Sequence, residues 1–137
     1  MSETSWASTR RLVYERAGGY CEYCRTFEPS IGQAMHVDHI DPNAGNNPDN
    51  LCLACPSCNL SKGASITGID PAGGGSSRLF NPRLDNWGDH FQWVGGGLLI
   101  QGMTPEGRAT VERLKMNRPR IIRARQNWII AGVHPPV

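Results

Sequence analysis

The sequence predicts an α+β fold of short elements, and three observations lead to this prediction. The chain has 137 residues, which is enough for one domain and a small additional module. Its 16 glycines and 10 prolines imply many turns, whereas a hydrophobic fraction of 39% is too high for a disordered chain. Two Cys-x-x-Cys pairs, separated by 30 residues, offer the cross-link that a small and loop-rich domain needs.

The cysteines favour a zinc ion over disulfide bonds. Their number, five, is odd, and a two-residue spacer lets both sulfurs of a pair face one tetrahedral ion. Because four thiolates leave no coordination position for water, we expect this zinc to be structural. Cys52 lies between two leucines and is predicted to be a small core residue. The predicted zinc ligands are Cys21, Cys24, Cys55 and Cys58.

Five segments are predicted in residues 1–68. Leu12, Val13 and Arg16 recur at helical spacing before a Gly-Gly pair. The first of two strands has an alternating pattern and contains the β-branched Val37 and Ile40. The segment between the strands is rich in Asn, Gly and Pro, which is typical of a loop. In chain order these are a helix over 8–17, a strand over 33–40, a loop over 41–48, a strand over 51–53 and a helix over 57–62.

The rest of the chain is predicted to be a linker and a C-terminal extension. A Gly-Gly-Gly-Ser-Ser run predicts a flexible linker over 69–78. Two apolar runs that flank three glycines predict a β-hairpin over 91–101. Thr104 followed by Pro105 is a strong helix start, and Pro119 opens a second helix. We expect this extension, residues 79–137, to pack on the N-terminal module.

The basic residues are concentrated in the C-terminal half. Up to Gly68 there are five basic and seven acidic residues, a net charge of −2, whereas from Ile69 onward nine basic and five acidic residues give +4. This asymmetry suits a polyanionic partner, but a solvated helical face would produce it equally well.

Two further features bear on the setting. No apolar run reaches the length of a membrane span, and the first residues lack signal-peptide character. Cysteines that are reserved for metal fit a reducing compartment. We therefore expect a cytoplasmic protein without a membrane partner.

A group of polar residues begins at the end of the first predicted strand. Asp38 and His39 lie at its end, and Asn59 opens the helix after the second cysteine pair. Carboxylate and amide oxygens suit a hard ion such as Mg²⁺, and a histidine beside that ion could take a proton from water. Such a site suits phosphodiester hydrolysis. Because adjacent strand residues point to opposite faces, the strand must end or bend at His39.

The order of these residues resembles the HNH endonucleases. The stretch His-Val-Asp-His-Ile-Asp-Pro is followed by Asn-Leu-Cys-Leu-Ala-Cys-Pro-Ser-Cys-Asn-Leu-Ser-Lys-Gly. The spacing within the Cys-x-x-Cys pairs and the dipeptides Asp-His, Asn-Leu and Cys-Asn all match the family pattern in order. The resemblance covers Cys21 to Gly63, about a third of the chain. It implies a ββα-metal core that hydrolyses DNA.

The resemblance also implies roles for the site residues. His39 would be the general base, and Asp38 and Asn59 would hold a catalytic ion such as Mg²⁺, Mn²⁺ or Ni²⁺. Asn50 would hold the loop and orient the His39 ring, and Lys62 would contact phosphate. The residues alone also allow simpler roles, which are a turn former for Asn50, a helix cap for Asn59 and a solvated helix end for Lys62.

Three further residues, His36, Arg120 and Arg123, are candidate substrate contacts. His36 has no fixed position in the family pattern, so it would touch substrate, assist the metal or be structural. The extension resembles one in a subset of bacterial HNH proteins and brings no assigned role. Its last predicted helix places Arg120, Arg123 and Asn127 on one stripe, which could follow a phosphate backbone or simply face solvent.

Two hypotheses of different classes follow. The first is a DNA endonuclease that uses one divalent ion and His39. The alternative is a non-catalytic, zinc-stapled module that binds nucleic acid. The joint presence of Asp38, His39, Asn50 and Asn59 favours the enzyme, since a purely structural zinc domain has no need of them together. The sequence leaves open a different phosphodiester, DNA against RNA, and monomer against homodimer.

Overall fold

This computed structural model describes residues 5–136, which contain six α-helices, two 3₁₀ helices and three two-stranded antiparallel sheets. The α+β prediction is confirmed. The helices are α1 (Trp6–Ala17), α2 (Glu28–Ile31), α3 (Pro56–Lys62), α4 (Trp87–His90), α5 (Pro105–Arg113) and α6 (Pro119–Ile130). The strands are β1 (His36–His39), β2 (Leu51–Ala54), β3 (Thr67–Ile69), β4 (Ser76–Arg78), β5 (Phe91–Val94) and β6 (Leu99–Gly102). Met1 to Thr4 and Val137, at the ends of the predicted modules, lie outside the described residues.

The first sheet and α3 form a ββα unit. Strand β1 pairs antiparallel with β2, and the last pair of the ladder joins His39 to Leu51. The loop between them ends in a 3₁₀ turn over Pro48–Asn50. Every residue of β2 is buried, because α1 and the segment around Glu22 cover the sheet. Helix α3 follows β2 directly, and Pro56 occupies its first turn.

The predicted linker over 69–78 is wrong. This segment completes a β-hairpin in which Thr67 faces Arg78 and Ile69 faces Ser76. The hairpin packs against α5, where both oxygens of the Asp70 carboxylate accept hydrogen bonds from Arg108 at 2.9 Å. The Gly/Ser run is therefore the turn of a hairpin that a helix distant in the sequence holds in place.

The C-terminal extension contains the hairpin and the two helices that the sequence predicts. Thr104 caps α5, since its hydroxyl accepts a hydrogen bond from the backbone N–H of Gly107 at 3.0 Å. Glycine is required at Gly107, because a Cβ there would collide with the backbone carbonyl of His90. This close approach lets α5 lie directly on the β5–β6 hairpin.

One hydrophobic core joins the ββα unit to the extension. It runs from Val13 and Leu51 to Phe91, Ile100 and Leu114 without a break. Polar contacts reinforce this packing: the indole N–H of Trp87 donates to the Tyr23 carbonyl at 2.8 Å, and Arg83 forms an ion pair with Glu22. Among the described residues, no helix combines the length and the hydrophobicity that crossing a membrane requires.

Candidate active site and metal centre

The four cysteines of the two Cys-x-x-Cys pairs converge on one point. Their sulfur atoms lie within 4.8 Å of one another, and all four side chains are buried. The sulfurs of Cys24 and Cys55 are 3.7 Å apart. A tetrahedral zinc ion with Zn–S bonds of about 2.3 Å places its sulfurs about 3.8 Å apart. The cluster therefore fits a bound metal such as zinc.

The electrostatics of the cluster lead to the same conclusion. Burial raises the pKa of Cys21 well above its usual range, whereas hydrogen bonds from Cys21 and Cys55 hold the pKa of Cys24 well below it. Without a cation, these buried thiols cannot all be ionised together. A divalent ion would stabilise four thiolates and so join the loop after α1 to the start of α3.

An open groove beside β1 contains the predicted catalytic residues. Asp38, His39 and Asn59 all line it, together with Val37, Pro42, Gly63 and Ala64. Strand β1 ends at His39, as a shared site requires. The groove thus brings together a carboxylate, an imidazole and a side-chain amide from the end of β1 and the middle of α3.

The His39 ring has a hydrogen-bond partner at one nitrogen and none at the other among residues 5–136. Its Nε2 lies 2.7 Å from the side-chain oxygen of Asn46. Since an amide oxygen only accepts hydrogen bonds, Nε2 donates and Nδ1 carries the free lone pair. The indole of Trp6 lies nearly parallel to the ring, with centroids 6.3 Å apart. Nδ1 is therefore the atom that could accept a proton.

The two oxygens of Asp38 have different surroundings. Oδ2 accepts a hydrogen bond from the Tyr23 hydroxyl at 2.9 Å and lies 3.2 Å from the Lys62 ammonium. Burial raises the pKa of Tyr23 well above its ordinary value, so the phenol keeps its proton. Oδ1 has no hydrogen-bond partner in the described part of the chain. It is nevertheless not completely buried, since only Arg83 Nε is both completely buried and without a partner there.

Asn59 offers a second oxygen. Its side-chain amide forms no hydrogen bond with any described residue, although Asn59 is only half-exposed and lines the groove. An unpartnered carboxylate oxygen and an unpartnered amide oxygen in one groove are the donor types that a hard divalent cation prefers. The residues present therefore fit such an ion.

The comparison with protein families identifies this region. Residues 21–65 match the family model described as HNH endonuclease. The match begins at Cys21, ends just beyond α3, and confirms the resemblance found in the sequence. It covers about a third of the chain, so the C-terminal extension lies outside it. Searches of curated proteins and of solved structures returned no match.

Asn50 holds the loop between β1 and β2 but does not contact the His39 ring. Its amide donates to the carbonyls of Asp41 and Gly45 at 2.8 and 2.9 Å, and its oxygen accepts from the Asp41 N–H at 3.0 Å. The ring contact implied for Asn50 is made by Asn46 instead. The reason is that the Asn50 amide is already used on loop backbone.

The predicted phosphate contact of Lys62 is also corrected. Its side chain is 1% exposed, and its ammonium donates to the carbonyl of His39 at 3.0 Å besides pairing with Asp38. A buried ammonium with two internal partners cannot reach a phosphate in this conformation. Lys62 instead ties α3 to the end of β1.

The other predicted substrate contacts lie outside the groove. His36 is exposed at the far end of β1, opposite Ala54. Arg120 and Arg123 are exposed on α6, and neither forms an ion pair or hydrogen bond with a described residue. Arg120 lines a cleft of about 240 Å³ that also borders Ser57, at the start of α3.

Three residues contact the predicted site residues in ways that the sequence did not reveal. They are Trp6, Tyr23 and Asn46. Asn46 lies in a loop whose many Asn residues hide the one that faces His39. Tyr23 gave one usable signal, which is its position between the two cysteines of the first pair. Trp6 gave none.

Proposed function

We propose that this protein is a metal-dependent endonuclease that hydrolyses phosphodiester bonds of DNA. His39 would act as the general base, and Asp38 and Asn59 would hold one divalent ion such as Mg²⁺. The observation that carries the proposal is the groove itself. It combines one imidazole nitrogen and two side-chain oxygens that have no hydrogen-bond partner in the described part of the chain, all within a region that matches the HNH family.

The residues divide the reaction between them. Nδ1 of His39 takes a proton from a water molecule while the water oxygen attacks phosphorus. The bond from phosphorus to one bridging oxygen breaks, and the leaving oxygen takes a proton from solvent. When bound, the divalent ion supplies charge stabilisation for the phosphate oxygens. Asn46 fixes the ring through Nε2, so that Nδ1 stays the basic nitrogen.

The distribution of charge supports a nucleic-acid substrate. Most arginines of the C-terminal half have internal partners; Arg78, Arg83 and Arg108, for example, form ion pairs. Arg120 and Arg123 have no such partner among the described residues, and they lie one turn apart on an exposed face of α6. Two free guanidinium groups on one helix can neutralise successive phosphates without reading sequence. We assign them to the DNA backbone.

Cleavage of supercoiled plasmid by the zinc-loaded protein tests the proposal. We expect nicked or linear products with Mg²⁺ or Mn²⁺ and none with EDTA. Removing a general base lowers rates by about 10²–10⁴-fold, so the cleavage rate of His39→Ala should fall by that factor. The zinc content and the melting temperature of this variant should stay unchanged. His36→Ala is the matched control, since it removes an exposed histidine from the same strand.

Two results would contradict the proposal. If His39→Ala cleaved as fast as the native protein, the base would have to lie elsewhere. If the native protein cut neither plasmid nor single-stranded DNA with any divalent ion, a non-catalytic binding module would become the better hypothesis. Cleavage of RNA alone, in a parallel assay, would retain the chemistry and change the substrate.

A further inference from the structure

A tyrosine inside the first Cys-x-x-Cys pair reaches the candidate active site. Tyr23 lies between Cys21 and Cys24 and is completely buried. Its backbone is fixed on both sides: the N–H of Glu22 donates to the carbonyl of Leu53 at 2.8 Å, and the Tyr23 carbonyl accepts from Trp87. The position of its ring is therefore set by β2 and by the loop that contains Cys21 and Cys24 (the cysteine loop), independently of the groove.

The hydroxyl of this tyrosine contacts the one carboxylate of the groove. It donates to Oδ2 of Asp38 at 2.9 Å. Lys62 approaches the same oxygen at 3.2 Å, and the Cys52 thiol at 3.8 Å. Three donors thus converge on Oδ2, while Oδ1 has no partner among the described residues. This asymmetry fixes the rotation of the carboxylate group.

Packing alone does not account for a tyrosine here. A phenylalanine would fill the same volume without bringing a hydroxyl into the core, where it needs a partner. The partner that it has is a residue of the groove, 15 positions away in the sequence. Partners that orient a metal-binding carboxylate in this way change metal affinity without touching the metal.

We propose that Tyr23 is a positioning residue for metal binding by Asp38. Its hydroxyl holds Oδ2 inside the protein and thereby presents Oδ1 to a divalent ion in the groove. The inference rests on the proposed function, because it takes Asp38 as a ligand of that ion. Without the hydroxyl, the plane of the carboxylate can tilt about its Cβ–Cγ bond, so that neither oxygen is held in the direction of the groove.

Direct measurement of Mn²⁺ binding to the zinc-loaded protein tests the inference. Electron paramagnetic resonance can count free Mn²⁺ during a titration of the native protein, Tyr23→Phe and Asp38→Asn. Loss of an orienting partner weakens metal binding by about 10–100-fold, and we expect Tyr23→Phe to show a loss in this range. In the Asp38→Asn background, the same tyrosine substitution should have no further effect.

The chain offers a matched control. Tyr14→Phe also removes one tyrosine hydroxyl, which donates to the carbonyl of Met35 at 2.6 Å, just before β1. This variant should bind Mn²⁺ like the native protein. Zinc content and melting temperature, measured on every variant, separate positioning from a general loss of structure. In plasmid cleavage, Tyr23→Phe should need more Mn²⁺ yet approach the native rate at saturation.

The outcomes distinguish the two claims. If Asp38→Asn binds Mn²⁺ as tightly as the native protein, the proposed metal site fails. If Asp38→Asn binds weakly but Tyr23→Phe binds normally, only the positioning role fails. If Tyr23→Phe loses zinc, or if Tyr14→Phe weakens Mn²⁺ binding equally, the effect of the hydroxyl is structural and the inference is overturned.

Discussion

Replacing Lys62 by Met tests whether this lysine is a buried structural cation or a substrate contact. The side chains of Lys62 and Asp38 are 1% and 6% exposed, so solvent screens their charges little. At an effective dielectric constant of about 20, unit charges 3.2 Å apart attract each other by roughly 5 kcal/mol. Removing one partner of a buried pair typically costs about 3–5 kcal/mol, since the other charge is left uncompensated.

For a domain of this size, that loss corresponds to a fall in melting temperature of about 10–20 °C. We would measure it by thermal unfolding of the zinc-loaded protein, followed by circular dichroism. Lys115→Met is the matched control, because Lys115 is the only other lysine in the chain and is exposed. That control should melt within about 2 °C of the native protein, as surface substitutions usually do.

A double-mutant cycle assigns the loss to the ion pair. Asp38→Asn leaves the ammonium of Lys62 buried without its counter-ion, so it should also destabilise the protein. The variant with both substitutions should be more stable than the sum of the two single losses predicts, with a coupling of about 0.5–3 kcal/mol. If Lys62→Met melted like the native protein but bound DNA with a weaker salt dependence, the buried ion pair would be refuted. The phosphate contact that the sequence predicts for Lys62 would then be the better explanation.

Three further predictions concern the cysteine cluster, the loop between β1 and β2, and the two exposed arginines of α6. Cys55→Ser should lose its zinc and its cooperative unfolding transition, because zinc binding supplies much of the free energy of folding here. Cys52→Ser should keep its zinc, and equal zinc contents of the two variants in elemental analysis would contradict this prediction. Asn50→Ala removes three hydrogen bonds to loop backbone and should lower the free energy of unfolding by about 2–4 kcal/mol in chemical denaturation. Replacing Arg120 and Arg123 together by Gln should reduce the slope of log affinity against log salt by about 1.4–1.8, and an unchanged slope would assign the stripe to solvent.

The sequence by itself determined the parts of this protein whose signals are local. The two-residue spacer within each cysteine pair identified the four cysteines whose sulfurs converge, because it determines how two sulfurs can face one ion. The Thr104-Pro105 helix start and the hairpin around three glycines were predicted for the same reason. Such signals depend on neighbours within a few residues, so they hold whatever the rest of the chain does.

Only the tertiary structure decided the partners of the polar side chains. Tyr23, Asp38 and Lys62 are far apart in the sequence, and their contact exists only once β1, α3 and the cysteine loop have packed together. The segment over 69–78 is a further case, since its glycines indicate flexibility until α5 and the Asp70–Arg108 pair hold it as a hairpin. A long side chain can be exposed or buried at the same sequence position, and long-range packing determines which.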